Sequence, residues 1–572
     1  GAALAYVHDA EQGRGLFLMN LNALKQEQLQ VTNEVIQIAG WSPDDRYLAF
    51  VQTPPHLPDK KVRRGSALAK EEWITLYDRE TKEIRRLTSH KNVIESRFLW
   101  LSPTSYVFVS RKLAGSVSEA FVGSFDSKPV RMANYLPILD NLILTTENIA
   151  AYTDKGEIFT MNLSSPTNTA SFLRPRPYTN PRGEVKTVLG LGGDQITNFK
   201  KEHGFSSLRW LRYDRKNEKF LFCATPRKSN WRYLYSYNSA DKQLTQLSWE
   251  DTYNGQILEE GEGFAYVANS NFVFSLSIHP AEPAGRTNFF SGGGLSSYVV
   301  APKGDKIYAV AAQGVEPESI WEYDLKTRNL KLVASGFNKP FVVSRVIEPQ
   351  VFKITSFDGL EVPSFLYPPL DIFIQTNKSI FQRRTKYPAI IYCPPATAAA
   401  KRVFNARMQL LSNLGFYVLA MNYRGCQGYG AKYASLANTE FAAEDILSGY
   451  DFLLKNSNVD KDRIFLSSDS AGSSVVNELL ATRPDLWRAV SIENPGGINW
   501  NPLDPAGLPP IFYAVGDQDS VYKSMLQFDE WAKSNKVSVS SVVYTNSGHI
   551  TYKTSQRKDK LDRVAKFFIS HL

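Results

Sequence analysis

The stretch Ile464-Phe-Leu-Ser-Ser-Asp-Ser-Ala-Gly472 decides how the second half of this 572-residue chain folds. It opens on apolar residues suited to a buried strand, turns sharply at Ser468-Asp469-Ser470-Ala471-Gly472, and runs into the helical apolar spacing of 471–482. A strand that enters a helix through so tight a turn lifts a serine hydroxyl above the sheet edge. The backbone N–H that follows is aimed where an oxyanion would form. Ser470 is therefore the candidate nucleophile and the Ala471 N–H the candidate oxyanion donor. Crowding on both flanks of such a serine favours Gly-x-Ser-x-Gly, so Ser468 in place of the first glycine is expected to cost strain. The competing reading is a serine that merely caps the helix.

Outward from this turn, strands alternate with amphipathic helices from about Val346 to the end, the pattern of a mostly parallel sheet covered on both faces. An edge hairpin, 351–357 and 360–367, is expected around Asp358-Gly359. Core strands follow at 389–393, 416–421, 463–467, 489–493, 510–515 and 537–544, with helices at 403–414, 442–455, 471–482, 522–535 and 558–571. Eight strands in that order are the ground plan of an α/β-hydrolase, assigned to 346–572.

A serine nucleophile needs a base. Of seven histidines only His549 and His571 fall after 346, and His571 is the penultimate residue. His549 follows the last strand in Tyr544-Thr-Asn-Ser-Gly-His549, a loop that can reach over the sheet, and an imidazole can take the serine proton and return it. An acid should orient that imidazole. Ile511-Phe-Tyr-Ala-Val-Gly-Asp-Gln-Asp-Ser520 places Asp517 and Asp519 past the preceding strand; Asp519 is the first choice and Asp517 the second. The chain order Ser470, Asp519, His549 is that of the α/β-hydrolase triad.

Residues 1–345 repeat a different pattern, a turn of Pro, Asp, Gly or Asn followed by short alternating aromatic and aliphatic strands, as in Trp41-Ser-Pro-Asp-Asp-Arg-Tyr-Leu-Ala-Phe50 and Ala301-Pro-Lys-Gly-Asp-Lys-Ile-Tyr-Ala-Val310. Recurrence every 40 to 65 residues fits the blades of a β-propeller, whose repeated aromatics pack between blades. Six blades are plain and a seventh is expected within 164–205, about seven in all.

Composition narrows the function classes. The 43% hydrophobic and 22% charged residues describe an ordinary globular protein, and 66 Lys plus Arg against 57 Asp plus Glu leave only +9, with no basic block. Nucleic-acid binding is not expected. Three widely spaced cysteines, Cys223, Cys393 and Cys426, offer neither a disulfide framework nor a zinc site and read as small buried hydrophobes. No metal or cofactor is implied, and no apolar run is long enough to span a membrane. The expected compartment is the cytoplasm, or the periplasm or exterior if a leader preceded Gly1. Edge strands leave homo-oligomers open.

A propeller followed by a hydrolase domain resembles the prolyl oligopeptidase family of serine peptidases, in particular its acylaminoacyl-peptidase and dipeptidyl-peptidase branches. The marks are Asp358-Gly-Leu-Glu-Val-Pro-Ser-Phe-Leu-Tyr-Pro368, Asn422-Tyr-Arg-Gly-Cys-Gln-Gly-Tyr-Gly430, Gly516-Asp-Gln-Asp519 and Gly548-His549. The resemblance implies cleavage of short peptides or acyl-amino acids through an acyl-enzyme, beneath a propeller that excludes folded proteins. Three departures stand out. Where the family has His-Gly-Gly-Pro or a tyrosine-bearing loop supplying an oxyanion donor, this chain reads Pro394-Pro395-Ala396-Thr397, and proline has no N–H. The elbow lacks its first glycine, and 487–510 is short. Loss of one oxyanion donor costs about a hundred- to a thousandfold in turnover, so weakened chemistry is expected. No paired-glutamate motif clamps a peptide amino terminus, which disfavours dipeptidyl release. Two other readings are an esterase of the same fold and a propeller-based binding protein with an impaired hydrolase domain.

Overall fold

The computed structural model describes the chain apart from 1–2, 54–70, 113–117, 137–141, 163–172, 180–184, 281–286, 289–293, 338–344, 371–385, 397–403, 500–502 and shorter gaps of up to four residues. Between 131 and 200 little beyond strand pairing is described.

Six four-stranded antiparallel sheets follow one another from Glu34 to Ala334. Their hairpins are closed by side chains that the sequence pattern supplies. Asp78 at the end of Trp73–Asp78 accepts from the backbone N–H groups of Glu80 and Thr81, and Asp324 plays the same part toward Thr327. The aromatics pack inside and between sheets, with Phe50, Tyr77, Tyr106, Phe108, Phe222 and Tyr237 almost wholly buried. The six blades among the described residues correct the expectation of about seven. Within 164–205 the chain forms a two-stranded ribbon, Leu173–Thr179 with Val185–Leu191, and then Asp194–Asn198, which completes the sheet begun at Leu142–Thr146. Strand propensity was present there, but the strands are an excursion within one blade. The N-terminal strands Ala3–Ala10, Gly13–Asn20 and Lys25–Leu29 form a three-stranded sheet whose Leu16, Leu18 and Leu29 pack with Val35 and Phe50 of the first blade.

The second half holds one eight-stranded sheet: β1 (Gln350–Thr355), β2 (Glu361–Tyr367), β3 (Tyr387–Cys393), β4 (Tyr417–Met421), β5 (Val459–Asp469), β6 (Val490–Glu493), β7 (Ile511–Gly516) and β8 (Val539–Tyr544). Its spatial order is β1-β2-β4-β3-β5-β6-β7-β8, antiparallel through β1, β2 and β4 and parallel beyond. Successive side chains of each central strand go to opposite faces, so both faces need cover. Ile391, Leu419 and Leu466 face α3 (Thr439–Leu454), α4 (Gly472–Thr482) and α5 (Tyr522–Ser534). Ile390, Val418 and Phe465 face α1 (Ala406–Asn413) and α6 (Thr554–Ile569). The five-residue α2, Ala431–Ser435, follows the loop after β4.

Polar contacts fasten this architecture. Asn405 and Asn438 cap α1 and α3 through their side chains. Buried Gln409 of α1 bonds both the N–H and the carbonyl of Ile347, at 2.9 and 2.7 Å, fixing the segment that leads into the sheet. Buried Arg424, after β4, forks onto Asp445 of α3 and Asp358 of the β1–β2 turn, between the rings of Phe357 and Phe441. The cysteines are free and buried. No described helix is long and apolar enough to cross a membrane, and no described cluster of three His, Cys, Asp or Glu side chains could hold a metal ion.

Candidate active site

Strand β5 ends at Asp469 and α4 begins at Gly472, which leaves two residues for the reversal. Ser470 takes the strain of it, with φ at +50°, a left-handed conformation unfavourable for a non-glycine residue. Around it the backbone is locked. The Ser470 N–H donates to the Glu493 carbonyl at 3.0 Å, and the Ser470 carbonyl accepts from Ser473 N, Gly496 N and Ser473 Oγ at 2.9, 3.1 and 2.7 Å. A Cβ on Gly472 would lie 2.3 Å from the Cys393 carbonyl oxygen, so only glycine lets the elbow approach β3 this closely.

Ser468 carries no left-handed backbone strain. Ser468 is an ordinary residue of β5, in register with Cys393 and Ile492, and does not have a positive φ. Its departure from glycine costs differently: the hydroxyl is buried without a hydrogen-bond partner among the described residues.

The loop after β8 brings His549 over this turn. It docks on the end of β7, where the Gln518 N–H donates to the Ser547 carbonyl at 3.0 Å and Asp517 accepts from the Ser547 N–H at 3.2 Å. Gly516 permits the approach, since a Cβ there would lie 2.1 Å from the Ser547 carbonyl. His549 Nε2 is then 2.8 Å from Ser470 Oγ, and His549 Nδ1 is 2.7 Å from Asp519 Oδ2. Asp519 is buried and its other oxygen accepts from the Val521 N–H and the Ser520 hydroxyl, which fix the carboxylate. The hydrogen bond to Asp519 holds the half-buried imidazole above its ordinary pKa, against the opposing effect of burial.

The geometry thus joins Ser470, His549 and Asp519. Asp517 is spent on the Ser547 loop, and His571 bonds the Phe567 carbonyl at the end of α6. Ala471 caps α4, so its N–H stands among the first-turn donors that lack an intrahelical acceptor. In the loop after β3, Pro394 and Pro395 have no N–H, and the carbonyls of Pro394 and Ala396 are taken by Tyr423 Oη and the Gln427 N–H at 2.9 and 2.7 Å. Thr397 lies outside the described residues. Between β6 and β7 the described residues carry a single short helical turn, Pro505–Gly507.

Sequence reasoning missed the group behind the elbow. Arg407, Glu493, Asn494 and Lys560 gather around Asp469, and no spacing in the sequence links them.

Residues 402–504, which include the elbow, match the prolyl oligopeptidase family. A dipeptidyl-peptidase 5 of Porphyromonas gingivalis is 27% identical over 207 residues, which is 29% of this chain and 30% of that relative. This chain therefore covers under a third of its curated relative's length. The fold extends further. A puromycin-hydrolyzing peptidase of Mycobacterium tuberculosis superposes with a TM-score of 0.74 at 12% identity, covering 100% of this chain and 93% of that one. An acylaminoacyl peptidase of Pyrococcus horikoshii gives 0.66 at 14% identity, covering 100% and 94%. At such identities the likeness is one of fold, a propeller followed by a hydrolase domain.

Proposed function

We propose that this chain is a serine hydrolase acting on short peptides or acyl-amino acids through an acyl-enzyme on Ser470. The observation that carries the reading is the continuous relay Ser470 Oγ, His549 Nε2, His549 Nδ1, Asp519 Oδ2, with separations of 2.8 and 2.7 Å, built on a serine at positive φ. Ser470 Oγ attacks the carbonyl carbon while its proton passes to His549 Nε2; Asp519 keeps the other nitrogen protonated and stabilises the imidazolium. The imidazolium returns the proton to the departing nitrogen, the C–N bond breaks, and water attacks the ester with the same imidazole as base. The Ala471 N–H serves the oxyanion. With prolines at 394 and 395 the site works with one donor fewer than its family expects, at a cost of about a hundred- to a thousandfold in turnover. The names of the relatives, a dipeptidyl-peptidase and an acylaminoacyl peptidase, support a peptide substrate.

The same two prolines favour a second reading, a binding protein whose hydrolase domain turns over little. A fluorophosphonate probe separates the two. Labelling that disappears in Ser470→Ala supports the hydrolase; folded wild-type protein that never labels supports the binding protein. Acyl-amino-acid anilides compared with p-nitrophenyl esters then distinguish peptidase from esterase.

A further inference from the structure

The first strands of the propeller sheets lie against one another, Leu142–Thr146 on Phe205–Asp214 and Phe205–Asp214 on Asp251–Ile257, so they gather around the propeller axis. In each of the six four-stranded sheets that first strand carries a bulge. In Glu34–Trp41 a glycine takes the positive angle, Gly40 at φ +134°. In Phe205–Asp214 a tryptophan does. Trp210, at φ +61°, is the only non-glycine residue with positive φ inside a described strand. So large a side chain is strained there, and strain of this kind collects at binding and catalytic sites.

The register shows what the bulge achieves. Residues three apart in a regular strand point to opposite faces. Here Arg209 pairs with Cys223 and Arg212 with Leu221, two positions apart, so Trp210 and Leu211 together oppose Phe222 and both arginines come to one face. Leu211 is buried on the other face, with Phe205 and Phe222. Trp210 keeps 39% of its surface open and Arg209 is exposed. Arg212 is half-buried, its Nη1 donating to the Leu211 carbonyl at 2.8 Å. Neither arginine has an ion pair with a described residue, and burial holds the Arg212 guanidinium below its ordinary pKa. Two cations on one face without a described counter-charge repel each other, a cost that an anionic ligand relieves.

The face is reached from the hydrolase side. Trp231, in the turn after Lys219–Pro226, packs on Gly430, where a Cβ would lie 3.0 Å from the indole Cζ3. Gly430 ends the loop after β4, at the sheet edge that also carries Ser470. Arg209 pairs with Cys223, three residues short of Pro226, and so stands about 10 Å in from that rim.

We propose that Arg209, Trp210 and Arg212 form a carboxylate-binding subsite for peptide substrates, the two guanidinium groups pairing with the carboxylate and the indole packing on the chain beside it. The carboxylate is the peptide's C-terminal group or an acidic side chain, since a guanidinium fork takes either. The proposal rests on the peptide reading above and narrows it to peptides that carry negative charge away from the scissile bond.

The test is isothermal titration calorimetry on the full chain with Ser470→Ala, which binds without turnover. The probes are alanine–glycine peptides of graded length, as free acids or C-terminal amides, the amides with either Glu or Gln within the chain. Free acids are expected to bind roughly tenfold more tightly than amides if the terminal group is taken, and Glu amides roughly tenfold more tightly than Gln amides if a side chain is. Arg209→Gln, an exposed change that leaves the fold intact, and Arg212→Met should each erase most of that preference and leave the binding of neutral peptides unchanged. Trp210→Gly should weaken all of the peptides severalfold yet melt at a higher temperature, because glycine takes the left-handed angle without strain. No preference for charge in either pair of probes, a preference that survives both arginine variants, or a Trp210→Gly protein that melts lower overturns the proposal. Wild-type protein that never labels with fluorophosphonate overturns the hydrolase reading instead, while the calorimetry still decides the subsite.

Discussion

Replacing Gly472 by alanine isolates the elbow from every question of substrate. In an open helical position this change stabilises, because alanine exceeds glycine in helix propensity by about 1 kcal/mol. Here the new Cβ would lie 2.3 Å from the Cys393 carbonyl oxygen, 3.0 Å from the Cys393 carbonyl carbon and 3.1 Å from the Pro394 carbonyl oxygen, all backbone. Cβ atoms essentially never approach closer than 3.0 Å, so β3 or the elbow must yield by at least 0.7 Å. Overpacking of this kind costs about 1–3 kcal/mol, a fall of roughly 2–10 °C in the melting temperature of a domain this size. If the elbow moves by that amount away from the histidine, the Ser470–His549 separation of 2.8 Å reaches the limit of hydrogen bonding, and the labelling rate falls by about a hundredfold. Differential scanning calorimetry and probe kinetics read the two effects. Gly507→Ala, whose Cβ would meet only Pro484 at 3.6 Å, is the matched control and is expected to be close to neutral. A Gly472→Ala protein that melts at or above the wild-type temperature refutes the reasoning.

Ser468→Ala should leave stability unchanged or raise it by up to about 1 kcal/mol in urea unfolding, because it removes a buried hydroxyl that has no described partner; a clear loss would mean that the hydroxyl is satisfied. Arg424→Met strands the buried Asp445 carboxylate and is expected to cost about 3–5 kcal/mol by the same measurement. The His549–Asp519 contact makes stability depend on pH. Since folding raises the imidazole's pKa, its contribution is complete below about pH 6.5 and is lost as pH rises through the folded value. The difference in melting temperature between wild type and His549→Gln should therefore shrink toward alkaline pH; a difference that grows would reverse the assignment.

The hydrolase sheet was legible because its strands are continuous apolar runs separated by amphipathic helices, so period and order together allow little else. Ser470, Asp519 and His549 were legible because each falls just after a strand at the same sheet edge, where topology alone brings distant residues together. The propeller was harder to count, because a strand's alternation marks it as a strand without saying which sheet it joins; the ribbon of Leu173–Thr179 and Val185–Leu191 is the case in point. The left-handed backbone of the elbow was not legible at Ser468, since φ is a property of the turn and the turn places it two residues later, at Ser470. Arg407, Glu493 and Lys560 could not be found at all. They come from three separate elements, and an isolated charge in a sequence usually signals a solvated surface.

The three donors that hold the Ser470 carbonyl come from Ser473 and Gly496, and the loop after β3 contributes none of them. Presenting the nucleophile and cradling the displaced negative charge are thus wired separately. A lineage can let the second decay while the first stays sharp, and an engineer can graft a glycine-bearing loop at 394–396 without having to rebuild the hinge that carries the serine.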